Sequence, residues 1–184
     1  MQSNSPKSTA GITLVELIFA LAVTAVLMSF AISGIASVVH KSRGSLAGID
    51  LVDSLTRARS LALLRESDVV ICPSSDGSSC LKSDHWESGW IAFGDLREDG
   101  ERRGDEPVLI RQEPLGAKVH LVSSQGRTRL RFQPTGSNAG SNVTFTLCDG
   151  RGAKFATAWI LSNNGGLRSA PATTAAADVA CSAS

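Results

Sequence analysis

The sequence has almost no excess of either charge, and this absence limits the functions that it can have. Its 18 Lys and Arg side chains face 17 Asp and Glu side chains, so the formal net charge is +1. A strongly basic domain would attract nucleic acid over its whole surface. Any binding of an anionic partner must therefore come from a local patch.

Motifs for catalysis and for zinc binding are also missing. None of the three histidines (His40, His85 and His120) stands in a motif with Ser, Cys or paired carboxylates. No two cysteines have the Cys-x-x-Cys spacing of a zinc site. We therefore predict that the chain is not an enzyme and that it carries no metal or other cofactor.

The segment 95–106 invites a calcium interpretation. Asp95, Asp99 and Glu106 fall at positions one, five and twelve of an EF-hand-like loop. Arg97 stands where a ligand oxygen belongs, and no helical pattern flanks the segment. A polar hairpin loop is the preferred interpretation, and calcium is the alternative.

The segment 12–39 lacks charge as well, because Glu16 is its only charged side chain. As a helix, these residues would span about 42 Å, which exceeds a hydrocarbon core of about 30 Å. The apolar run is too long for a signal peptide. We predict one transmembrane helix over 12–39, and no second apolar span follows it.

Glu16 argues against a plain membrane anchor. A carboxylate in an apolar segment is costly and needs a partner, although the helix dipole favours it in the first turn. Cleavage after Gly11 would leave a free amine on Ile12. That amine on one subunit could neutralise Glu16 on its neighbour, so the carboxylate would serve assembly.

The cysteines indicate an oxidising compartment, because an even number of them lies beyond the apolar segment. Three pairings are possible, and free buried cysteines are a further alternative. Local closure favours one pairing of the four: Cys72 with Cys80 and Cys148 with Cys181.

The rest of the chain predicts an α+β fold. Apolar residues that include Leu46, Ile49, Leu55 and Leu64 recur at helical spacing, so we expect the helix to continue as an amphipathic segment over 40–66. The residues 67–184 form a β-rich globular domain with antiparallel strands. Its strand candidates are 69–72, 90–93, 108–110, 119–122, 127–132, 143–148 and 155–161. The segment 170–177 is rich in Ala and Thr, and we expect it to be a low-complexity tail tethered by Cys181.

The run Gly11-Ile12-Thr13-Leu14-Val15-Glu16-Leu17 resembles the class III signal of type IV prepilins and type II secretion pseudopilins. The resemblance implies that residues 1–11 are a leader. A prepilin peptidase would cut between Gly11 and Ile12 on the cytoplasmic face and methylate the new amino terminus. Glu16 would be the assembly carboxylate.

A second resemblance covers most of the chain and is to the GspH/FimT family. It rests on Arg57-Ala58-Arg59-Ser60, Val70-Ile71-Cys72-Pro73-Ser74, Gly89-Trp90-Ile91-Ala92-Phe93, Phe132-Gln133-Pro134-Thr135-Gly136 and Ile160-Leu161-Ser162-Asn163-Asn164-Gly165. The family implies a type IV pilin-like fold, in which the long helix packs on an antiparallel β-sandwich.

The family also implies a function. We expect a FimT-like minor pilin that contributes to type IV pilus assembly and is a candidate for DNA uptake. The alternative is a GspH-like minor pseudopilin of a type II secretion system. The partners would be prepilin peptidase, other major and minor pilins or pseudopilins and the inner membrane, with the globular domain in the periplasm.

DNA contact is the most specific of these expectations. Some family members bind DNA through a Gly-Arg-x-Arg element, and the matching stretch 165–168 keeps only Arg168 of its two arginines. If 127–132 is a strand, Arg127, Arg129 and Arg131 share one face and could follow a row of phosphates. The preferred interpretation is a solvated face paired with acidic neighbours.

Overall fold

The structure is a computed structural model that describes Gly11 and residues 13–138 and 142–182, with the exception of the side chains of 29–33. Ile12 and residues 1–10 of the predicted leader lie outside the described residues. The chain divides into two compact units, with a boundary after Val38.

The first unit contains the beginning of helix α1, which spans Leu14–Arg65. Its apolar side chains are exposed: Leu14 and Phe19 are 74% and 71% accessible. In the part of the chain that the structure describes, no helix is both long enough and apolar enough to cross a membrane. The predicted transmembrane helix over 12–39 is therefore not confirmed and stays a prediction.

The second unit holds two four-stranded antiparallel sheets. Their strand orders are β3-β2-β1-β5 and β4-β6-β7-β8. The strands are β1 Val69–Pro73, β2 Trp90–Gly94, β3 Val108–Gln112, β4 His120–Ser123, β5 Leu130–Phe132, β6 Val143–Cys148, β7 Thr157–Leu161 and β8 Leu167–Pro171. A second helix, α2, spans Thr174–Ser182. The predicted α+β class with a long N-terminal helix and antiparallel sheets is confirmed.

One face of α1 forms part of the main core in the second unit. The buried helix residues are Ala47, Leu51, Leu55, Ala58 and Ala62, and they join one cluster with side chains from both sheets. The predicted amphipathic face was wrong in part, because Leu46, Ile49 and Leu64 are exposed. Three alanines stand beside the two leucines on the buried face, which lets the sheets approach the helix closely.

Two glycines of α1 mark this close approach. A Cβ on Gly44 would lie 2.6 Å from Asp149 Oδ2, and one on Gly48 would lie 3.2 Å from Trp159 Cζ2. The loop after β6 and the middle of β7 can therefore pack directly on the helix.

Two details of the predicted domain were wrong. The tail is ordered, since β8 and α2 occupy 167–182, and Ala177 and Ala180 of α2 are buried. The strand predicted over 127–132 is shorter, because β5 begins only at Leu130. Leu130 and Phe132 are buried, as the alternation of that strand predicted.

Both disulfides are formed, in the pairing that local closure favoured. Cys72 and Cys80 are 8 residues apart in the sequence, and Cys148 and Cys181 are 33 residues apart. The second bond fastens α2 to the end of β6. Around it, Val122, Cys148 and Ala180 form a small buried cluster of their own.

The two disulfides should differ in their contribution to stability. Chain-entropy arguments give about 4 kcal/mol for the 33-residue loop and about 2.5 kcal/mol for the 8-residue loop. We expect Cys148→Ser/Cys181→Ser to lower the free energy of unfolding more than Cys72→Ser/Cys80→Ser does. Urea unfolding followed by tryptophan fluorescence measures both, and the reverse order would contradict this account.

Candidate functional site

The described part of the predicted processing segment begins at Gly11. Gly11 is exposed, and a Cβ added there would have no atom within 4 Å. Helix α1 starts three residues later, and Thr13 caps it: the Glu16 backbone N–H donates to Thr13 Oγ1 over 3.3 Å. Thr13 and Glu16 have the spacing of a capping box. The sequence predicts an assembly role for Glu16, and the structure adds its place in the helix cap.

Three of the family motifs meet at the side chain of Arg59 on α1. Its Nε donates to the carbonyl of Gly136 over 2.9 Å, and Nη1 donates to the carbonyl of Gly165 over 3.3 Å. Nη2 reaches the carbonyl of Asn164 at 3.4 Å. One guanidinium therefore holds the turn after β5 and the β7–β8 turn, which belong to different sheets.

The glycines at these turns leave room for the guanidinium. Gly136 and Gly165 both have positive φ, +76° and +78°. A Cβ on Gly165 would lie 2.6 Å from the Gly136 carbonyl and 2.8 Å from Arg59 Nε. In the sequence these motifs carry only the family resemblance, and the structure gives them a structural role that we call the Arg59 clasp.

The segment 95–106 is a polar loop between β2 and β3, which agrees with the interpretation that the sequence favours over a calcium site. Its two buried carboxylates accept hydrogen bonds from within the loop: Asp95 from the backbone N–H groups of Asp99 and Gly100, and Glu106 from those of Leu96 and Arg103. In the described residues, no cluster of acidic, His or Cys side chains could hold a metal ion. The hydrogen bonds to these two carboxylates thus stabilise the conformation of the loop.

Arginines pair with two exposed acids of the same loop. Arg97 pairs with Asp105 over 2.7 Å, and Arg103 pairs with Asp99 over 2.8 Å. A hydrogen bond from Arg103 lowers the pKa of Asp99, and one from Arg97 lowers that of Asp105. The two arginines and the two carboxylates therefore neutralise each other within the loop.

Two of the arginines predicted to contact DNA bind this loop instead. Arg131 Nη2 lies 3.1 Å from Asp95 Oδ2, and its Nη1 lies 3.3 Å from Asp68 Oδ2. Arg129 Nη1 lies 2.8 Å from Glu101 Oε1 and also donates to the carbonyl of Gly100. Both guanidinium groups are engaged, so the structure shows the pairing with acidic neighbours that is the preferred interpretation of this segment.

The other two predicted DNA-contacting residues do not extend that row. Arg127 precedes β5 in a turn, where its backbone N–H donates to the carbonyl of Ser124. Arg168 is exposed on β8 and belongs to the other sheet, opposite Ile160 of β7. The structure therefore does not assemble the predicted three-arginine stripe on a single strand.

Comparisons with known proteins match the N-terminal segment and the globular domain separately. The family model described as "Type II transport protein GspH" matches residues 47–166, and a model of the prokaryotic N-terminal methylation motif matches residues 6–37. A search of curated proteins found no match.

The comparison with solved structures matches proteins from two bacteria. The type IV minor pilin FimU of Pseudomonas aeruginosa, in two crystal forms, is 18% and 17% identical with TM-scores of 0.55 and 0.56. Each covers 77% of this chain, and 98% and 94% of the FimU chains are matched. The minor pseudopilin EpsH of Vibrio cholerae is 13% identical, with a TM-score of 0.49 over 70% of this chain and 97% of that chain.

The long helix, the antiparallel sheets and the N-terminal methylation motif define a pilin-like subunit. The chain belongs to the GspH/FimT family of minor pilins and pseudopilins, whose model covers more than half of its length. Members of this family are structural subunits and not enzymes, in agreement with the prediction for this chain. The methylation motif implies processing by a prepilin peptidase.

The Arg59 clasp should matter for stability. Arg59→Ala removes charge-assisted hydrogen bonds to three carbonyls, and we expect it to lower the free energy of unfolding by about 2 kcal/mol. Arg59→Lys should recover less than half of this loss, because an ammonium cannot reproduce the planar fork. Urea unfolding by tryptophan fluorescence measures the change.

Arg57→Ala is the matched control for this prediction. Arg57 lies on the same helix but is 57% exposed and has one ion pair, to Asp53 at 3.4 Å. Its replacement should change the free energy of unfolding by less than about 0.5 kcal/mol. Equal effects of the two substitutions would refute a special role for the clasp.

Proposed function

We propose that this chain is a minor pilin of a type IV pilus. It would be made as a precursor in the inner membrane, with 12–39 as a single transmembrane helix and the disulfide-bearing domain in the periplasm. After cleavage behind Gly11, the helix would leave the bilayer and pack among the helices of other pilins in the filament.

The observation that carries this proposal is the exposed apolar surface of the first unit. Large apolar side chains along the helix, including Leu14, Phe19, Leu21 and Leu27, have most of their area accessible. Contiguous apolar surface of this kind indicates burial against a membrane or a partner. The methylation motif that overlaps this segment supports a pilin helix, which uses both environments in turn.

A secretion pseudopilin is the second candidate. The description of the matching family model, a type II transport protein, favours it. In that case the same helix would pack in a short periplasmic filament of a secretion system. The globular domain and the processing site would keep the same roles, and only the partner subunits would differ.

DNA uptake is a finer proposal that only part of the predicted site now supports. Because Arg129 and Arg131 pair with carboxylates, exposed Arg168 is a better candidate for DNA contact than either of them. We therefore place assembly first and DNA contact second in the proposed function.

Processing can be tested at Gly11. We expect Gly11→Leu to block removal of residues 1–11, because the peptidase site must fit the residue before the cut. A Cβ at Gly11 meets no atom within 4 Å, so the substitution does not disturb the described fold. Intact mass of the membrane-extracted protein gives the answer, and Gly34→Leu, at an equally open position, should be cleaved normally. A mature mass for Gly11→Leu would sink the prepilin proposal.

Assembly can be tested at Glu16. We expect Glu16→Ala to leave the chain in the membrane but to reduce its incorporation into filaments by at least about tenfold, because an amine is left without its carboxylate. Asp53→Ala is the control, since that carboxylate is exposed and weakly paired. Immunoblots of membranes and of sheared filaments provide the two readouts.

The same experiment separates the two candidate functions. If the chain without substitutions is found in sheared pili, the minor pilin proposal is supported. Chain that enters only complexes with the pseudopilins of a secretion system would replace it with the alternative. Normal incorporation of Glu16→Ala would refute the amine-pairing account in either case.

A further inference from the structure

Basic side chains gather around the first residues of the second unit. Lys41 and Arg43 of α1 are exposed and follow directly on the uncharged stretch of the sequence that ends at Val39. The helix alone supplies these two charges. The tertiary structure adds others from two loops that are distant in the sequence.

The loop before β4 lies on one side of this part of the helix. Arg43 Nη1 donates to the carbonyl of Ala117 over 3.4 Å, and a Cβ on Gly116 would lie 3.5 Å from Arg43 Cδ. These contacts bring exposed Lys118 to the same region.

The loop after β6 also contacts this part of the helix. A Cβ on Gly150 would lie 2.5 Å from His40 Nδ1, and one on Gly44 would lie 2.6 Å from Asp149 Oδ2. The loop continues through a short 3-10 turn, Ala153–Phe155, which presents Lys154 and Phe155 to solvent.

The strand register explains why the two loops converge. His120, which begins β4, pairs with Cys148, which ends β6. The loop that precedes β4 and the loop that follows β6 therefore leave the sheet at the same end. Their positive charges are placed together by the topology and not by the sequence spacing.

Little negative charge offsets this cluster. Among the described contacts of residues 40–44 of the helix, the carboxylate is that of Asp149, which lies beside Gly44 and is 4% exposed. Arg151 Nη2 lies 2.7 Å from Asp149 Oδ2, so this acid is already paired. The charges of Lys41, Arg43, Lys118 and Lys154 are left at the surface.

The cluster also has an aromatic member. Phe155 is 49% exposed, and the Arg151 guanidinium lies 4.8 Å from the centroid of its ring. Long basic side chains beside an accessible aromatic ring suit the boundary between water and acyl chains, where the stems and the ring can lie in the apolar layer.

We propose that Lys41, Arg43, Lys118, Lys154 and Phe155, which we call the basic end, contact the head groups of anionic phospholipids. The inference rests on the proposed function, since it needs a bilayer around 12–39. Such a bilayer would bring its head groups next to Lys41 and Arg43 at high effective concentration. This proximity favours lipid over DNA as the anionic partner, because DNA would have to reach the same surface from solution.

The contact would hold the domain against the membrane before assembly and release it when the helix is extracted. It also gives a reason for Lys41 and Arg43, because basic residues directly after a translocated segment oppose the positive-inside rule. An anionic surface on the far side of the bilayer offsets that disadvantage by attracting the same charges.

The experiment uses the full chain reconstituted into vesicles, with Phe155→Trp as the reporter. Vesicles contain either phosphatidylcholine alone or phosphatidylcholine with phosphatidylglycerol, and brominated acyl chains quench nearby indoles. Trp86 and Trp90 are fully buried and Trp159 is partly buried, and the chain with Phe155 unchanged gives the background signal of all three. Sedimentation after alkaline carbonate washing reports separately whether the chain is membrane-anchored.

We expect quenching of the introduced indole in phosphatidylglycerol vesicles and much less in phosphatidylcholine alone. Lys41→Gln/Lys118→Gln/Lys154→Gln should lower the equilibrium constant of the contact by about a hundredfold, at about fivefold for each charge near an anionic surface. Arg43 and Arg151 stay unchanged because they make hydrogen bonds within the domain. High salt should abolish the quenching of the indole in the Phe155→Trp chain that keeps all its lysines.

Arg57→Gln/Arg65→Gln/Lys82→Gln is the matched control, since it removes the same number of exposed charges elsewhere. The introduced indole of this control should be quenched as much as that of the Phe155→Trp chain without further changes. Near-ultraviolet circular dichroism should show that both triple variants are folded. Equal quenching in the two kinds of vesicle, or equal loss in both triple variants, would overturn the inference.

Two outcomes separate this inference from its premise. Chain that carbonate extracts would overturn the proposed anchoring and the lipid contact with it. Anchored chain whose quenching is relieved by a low concentration of duplex DNA would leave the anchoring intact and assign the basic end to nucleic acid.

Discussion

Helix α1 buries a stripe of small and apolar side chains from Ala47 to Ala62, and both sheets of the domain pack against that stripe. The sheets are separate in their strand pairing, so the helix is the element that they share. Its small residues set how closely the sheets can approach, because a larger side chain at Gly44 or Gly48 would meet Asp149 or Trp159. The Arg59 clasp extends the same junction into the turns, where one guanidinium binds carbonyls from both sheets.

Charge in this domain is used mainly to fix loops. The 95–106 loop contains buried Asp95 and Glu106, and backbone N–H groups and arginines satisfy their oxygens. A buried carboxylate without such donors would be costly. Arg129 and Arg131 therefore serve the fold, and an arginine count alone overstates the charge available to a ligand. The basic end differs, because its lysines make no ion pair among the described contacts and are exposed.

The two units differ in whether their apolar side chains are buried. In the second unit, apolar side chains from the helix and the strands lie in closed cores. In the first unit, the described apolar side chains are accessible to solvent. Contiguous exposed apolar surface is typical of segments that bind a membrane or a partner. Membership in the GspH/FimT family of minor pilins and pseudopilins agrees with this.

The sequence by itself determined the features that depend on neighbouring residues. The motif around Gly11 and Glu16, the long helix, most strands and the pairing of nearby cysteines are local, so composition, periodicity and spacing predict them. Only the tertiary structure decided which helix face is buried, since Leu46 and Ala47 differ in burial because of where the sheets lie. It also decided that α2 packs as a helix, that Arg131 binds residues 36 and 63 positions away, and that two loops join Lys41 and Arg43. These contacts join residues far apart in the chain, and strand order and register, which no local pattern encodes, bring them together.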